Sequence, residues 1–70
     1  MSLEEFIAIV RDGERKGLIK TYLSDYDLMI QLAIANLGEK KGGYPCKITL
    51  DEIFSECSTM GPYAEKLLKQ

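Results

Sequence analysis

Seventy residues suffice for one small domain, 1–70, and are too few for two. Nine Lys and Arg against eleven Asp and Glu give a formal net charge of -2, which argues against a generic nucleic-acid coat protein or a polybasic membrane binder, because both rely on a positive field. The chain has no His, which removes His-based triads, acid–base pairs and imidazole metal ligands.

Ser2 followed three residues later by Glu5 is a capping-box arrangement and predicts the start of a first helix. Leu3, Phe6, Ile7 and Val10 recur behind it at helical spacing and make one apolar face. Gly13 is the expected stop. Between Glu14 and Leu23 two readings stand open: the helix continues past Gly13, since an interior Gly costs only about 1 kcal/mol, or a separate turn follows Gly17.

The second helix is the clearest element. Ser24 precedes Asp25 and Asp27, acidic residues suited to the positive end of a helix. Tyr26, Leu28, Met29, Ile30, Leu32, Ala33, Ile34, Ala35 and Leu37 follow, and Gly38 stands where a left-handed cap belongs. Apolar on nearly every side, this helix is expected at the centre of the core, with Leu32 buried, or with one face against a second subunit.

Residues 38–45 read as a loop rich in Gly, with Lys40, Lys41, Tyr44 and Pro45. The Walker spacing is missing, so it is not a phosphate-binding loop. Cys46 to Ile48 is expected to be extended and paired with another short segment. Thr49, with Glu52 as its capping-box partner, opens a third helix whose apolar side is Leu50, Ile53, Phe54 and Cys57. Ser58 to Gly61 form a turn. Pro62 suits the first position of a final helix with Ala64, Leu67 and Leu68 facing inward. The fold class is therefore an all-α bundle of three to four helices.

The run from Thr49 has the outline of a helix-turn-helix, and residues 25–70 resemble the opening of a winged-helix domain, in which the last helix enters the major groove. That resemblance implies a DNA-binding regulator of helix-turn-helix or truncated winged-helix type, contacting nucleic acid through Lys40, Lys41, Lys66, Lys69 and Gln70, with Lys47 in support. The sequence departs from the pattern at Phe54, where a small residue usually lets the helices cross, and at Ser58, where a glycine usually opens the turn.

A second function class asks less of the residues. Tyr22, Tyr26, Tyr44 and Tyr63 supply most of the aromatic content, and tyrosine brings large contact area with a polar tip to interfaces. Tyr44 and Tyr63 are the expected contacts of a small non-enzymatic regulatory module that binds another protein. Self-association into a homodimer is also expected, because a chain of this size buries only about 60% of its unfolded surface.

No catalytic, metal or cofactor site is expected. Cys46 and Cys57 lack metal-ligand spacing and read as reduced, structural thiols. Asp51, Glu52 and Glu56 read as a solvated acidic face. Glu4 and Glu5 stand where a secretory leader carries basic residues, and the uncharged stretch 28–38 is too short to span a bilayer, so the expected location is cytoplasmic without membrane contact.

Overall fold

The computed structural model describes residues 1–69. The chain forms four helices: α1 (Leu3–Arg15), α2 (Asp25–Lys40), α3 (Leu50–Ser58) and α4 (Pro62–Leu68), with no strand among the described residues. α2 packs against all three other helices, and α4 also meets α1 and α3. The architecture is the all-α bundle that the periodicity implies, in its four-helix form.

Local chemistry starts each helix. The Ser2 hydroxyl accepts from the Glu5 N–H at 3.1 Å. Ser24 with Asp27 and Thr49 with Glu52 both form complete reciprocal capping boxes. α4 has no side-chain cap; Pro62 opens it after Gly61, whose φ of 98° suits only glycine.

The helix ends differ from expectation in two places. Gly13 does not stop α1, which runs to Arg15. The reversal comes at Gly17, with φ 74°, where the Leu18 N–H donates to Gly13 O at 3.0 Å and the Gly17 N–H to Glu14 O at 3.1 Å, a Schellman closure. Ile19 returns over Gly13, lying 3.1 Å from where a Cβ would stand. Gly38 likewise sits inside α2. The left-handed position is Gly42, with φ 89°, closed by Gly43 N–H to Gly38 O and Gly42 N–H to Glu39 O. The 14–23 segment thus divides into the end of α1, a turn, and an irregular strap that leads into α2.

The core joins Leu3 and Ile7 of α1, Leu28, Met29 and Ala33 of α2, Cys57 of α3, and Ala64 and Leu67 of α4. Met29 and Ala33 are fully buried, so α2 is central, but Leu32 is only half-buried on the flank of its inner arc.

α3 corrects a further expectation. Its inner arc holds Ile53, Glu56 and Cys57, while Leu50 and Phe54 lie outside at 72% and 50% exposure. Helical spacing fits two overlapping arcs on this helix. Cys57 and Ile53 pack into the core, and the Glu56 carboxylate beside them is met at 2.8 Å by Lys40 Nζ. Cys46 to Ile48 pair with no strand among the described residues; Lys41 Nζ instead donates to Lys47 O.

Candidate functional site

Each residue singled out for recognition has a definite place. Tyr44 follows the glycine turn and folds back on the outward side of α2. Its hydroxyl donates to Ile34 O at 2.7 Å, and its ring occupies the space beside Gly38. The other side of the ring faces water, leaving Tyr44 63% exposed. Tyr44 is joined to Pro45 by a cis peptide bond.

Tyr63 sits at the start of α4 and is half-buried. Its hydroxyl donates to Asp25 Oδ2 at 3.1 Å, while Arg11 Nη2 donates to Asp25 Oδ1 at 2.9 Å and to Leu23 O at 2.8 Å. Asp25 therefore ties α1, α2 and α4 together. The Arg11 guanidinium holds the Asp25 carboxyl below its ordinary pKa against the opposing effect of burial. Burial, then the adjacent Asp25, push the Tyr63 phenol up. The Tyr63 ring lines an open cleft of about 240 Å³ between the starts of α1 and α4, with Leu3, Met60 and Lys66.

Two of the lysines are engaged in ion pairs. Lys40 is paired with Glu56, and Lys41 Nζ lies 2.6 Å from Glu52 Oε2. The Lys41 ammonium is the main reason that the Glu52 carboxyl titrates below its ordinary value. Lys66 and Lys69 are exposed on or just after α4 and have no ion-pair partner among the described residues. Gln70 lies outside the described residues.

Leu50 and Phe54, which helical spacing places in the core, instead form an exposed ridge, one turn apart on α3. Helical spacing alone does not signal this, and the partner of the buried Glu56, Lys40, stands sixteen positions away.

Cys57 is buried, which pushes its thiol up and makes it a poor nucleophile, and Cys46 is a free, half-buried thiol. Among the described residues no three His, Cys, Asp or Glu side chains come together as a metal site, and no helix is long and apolar enough to cross a membrane.

Compared with protein families, curated proteins and solved structures, the chain matches none.

Proposed function

We propose that this protein is a small, non-enzymatic regulatory module of the cytoplasm that binds another protein through the α3 ridge. Leu50 and Phe54 form the centre of the interface, and the open side of Tyr44 and the Tyr63 cleft contribute to recognition. One observation carries the reading. Two large apolar side chains stay in water one turn apart on a helix that is capped at Thr49 and held to the core through Cys57, further along it. Scattered exposed apolar residues are ordinary, whereas an adjacent pair on a fixed helix can seat in a partner's groove.

The test is a tagged pull-down from the native cell, with nuclease and raised salt, comparing the wild-type chain with Leu50→Ser/Phe54→Ser. A specific protein retained by the first and lost by the second supports the reading. A protein retained equally by both removes the ridge from the interface.

The second reading is the helix-turn-helix regulator. It is favoured by the short turn at 59–61 between α3 and α4 and by the unpaired Lys66 and Lys69. Lys40 and Lys41 support it less, since their charges are already opposed by Glu56 and Glu52. Nucleic acid recovered alone, and released by neutralising Lys66 and Lys69, would put this reading first.

A further inference from the structure

The start of α3 is tied down by one side chain from the end of α2. From Tyr44 to Ile48 the chain makes no backbone-to-backbone hydrogen bond among the described residues. Leu50, the first residue of α3, is mostly exposed, so packing of its own side chain does little to hold it. Lys41 supplies the tie. Its ammonium donates to Lys47 O and lies 2.6 Å from Glu52 Oε2, and so grips the chain on both sides of Thr49.

Glu52 turns that grip into helix geometry. Its Oε1 accepts from the Thr49 N–H and the Thr49 hydroxyl, both at 3.1 Å, while the Glu52 N–H donates to Thr49 Oγ1 at 3.2 Å. One carboxylate therefore closes the cap with one oxygen and meets Lys41 with the other. Lys41 is itself fixed at the end of α2, where its backbone N–H donates to Leu37 O at 3.0 Å. Further along α3, Ile53 and Cys57 in the core and Glu56 on Lys40 hold the helix without its help. Helix ends fray first, so the clasp acts on the turn that carries Leu50.

We infer that Lys41 is a positioning residue for the α3 ridge: it fixes the first turn of α3 and holds Leu50 in register with Phe54. This role rests on the reading of the ridge as a protein-binding surface. A partner that meets a preset pair of anchors spends little free energy on ordering them. The Lys47 carbonyl and the Glu52 carboxylate are both acceptors, so the residue between them must be a cation with several donors. Arginine meets that need and an apolar side chain does not.

Amide hydrogen exchange of the full chain, read residue by residue in Lys41→Met and Lys41→Arg, tests it. Lys41→Met should speed exchange of the Glu52 and Ile53 N–H groups, which donate to Thr49, by about three- to tenfold. The Met29 and Cys57 amides, in the core, should keep their wild-type rates. Lys41→Arg should restore the rates at Glu52 and Ile53. Should Lys41→Met unfold the chain, Glu52→Gln, which keeps an oxygen for the Thr49 cap, carries the same comparison. In the pull-down, a protein lost with Leu50→Ser/Phe54→Ser should also be retained less by Lys41→Met, about threefold, and fully by Lys41→Arg. Unchanged exchange at Glu52 and Ile53, an equal rise at every amide, no rescue by arginine, or full retention by Lys41→Met each overturns the assignment. Failure of the ridge reading shows instead as a protein retained equally by Leu50→Ser/Phe54→Ser, and the exchange rates still decide whether Lys41 sets the first turn.

Discussion

Tyr44 stands where a side chain on Gly38 would have to go: a Cβ at Gly38 would lie 2.4 Å from Tyr44 Cζ. The glycine is kept inside α2, at a cost in helix propensity of about 1 kcal/mol, and the ring lies flat against the helix with its hydroxyl on Ile34 O. Gly38→Ala should therefore displace the ring, because the clash falls on the swinging end of a side chain. The improved helix propensity of alanine offsets the broken hydrogen bond from Tyr44 to Ile34, so stability in chemical denaturation should change by less than about 1 kcal/mol. The Tyr44 ring resonances should move to values typical of a solvated tyrosine. A large loss of stability with an unmoved ring would contradict this placement.

The core should rank two α2 residues clearly. Met29→Ala removes a fully buried side chain between the four helices and should cost about 2–5 kcal/mol. Leu32→Ala, half-buried on the flank, should cost less in the same urea titration. Equal losses would place Leu32 in the centre, where the sequence alone puts it.

Glu56 is the buried carboxylate of the bundle, and Lys40 is its ion-pair partner. Lys40→Met should leave that carboxylate without its charge-assisted bond and cost about 1–3 kcal/mol. Adding Glu56→Leu should recover part of the loss, since no uncompensated charge then remains inside. A double variant less stable than Lys40→Met alone would contradict the inward role of Glu56.

Acid should weaken the fold through two carboxylates. Asp25, held by Arg11, and Glu52, held by Lys41, both titrate below their ordinary values in the folded chain. Stability from such groups is present above the unfolded pKa and lost as pH falls through the folded one, so the decline should begin near pH ~4 and continue below it. Arg11→Met should flatten the Asp25 share of that decline. At the other end the Tyr63 phenol and the Cys57 thiol are raised, so stability should fall as pH climbs past the unfolded thiol and phenol values, about 8.5 and 10, and through the folded ones. Urea midpoints across pH check both limbs.

The helix starts are legible in the sequence because capping is local: Ser2, Ser24, Thr49 and Pro62 each act within three residues of their own position. The ends are less so. Gly13, Gly17, Gly38 and Gly42 all look like stops, and the choice among them follows from what returns over the helix, Ile19 in one case and Tyr44 in the other. The inner arc of α3 escapes a sequence reading for the same kind of reason. Leu50 and Phe54 are the more apolar pair, but Glu56 turns inward to a lysine on another helix. Of the two tyrosines expected at an interface, Tyr44 is exposed on one side, and Tyr63 spends its hydroxyl on Asp25, thirty-eight positions away. Pairings at that distance leave no spacing signal.

The central claim is that the exposed α3 ridge is a protein-binding surface. Its most direct measurement is the nuclease-treated pull-down with the wild-type chain and Leu50→Ser/Phe54→Ser at matched helix content. The account predicts a specific protein that survives salt with the first and disappears with the second. Nucleic acid as the sole retained species, lost on neutralising Lys66 and Lys69, would contradict it.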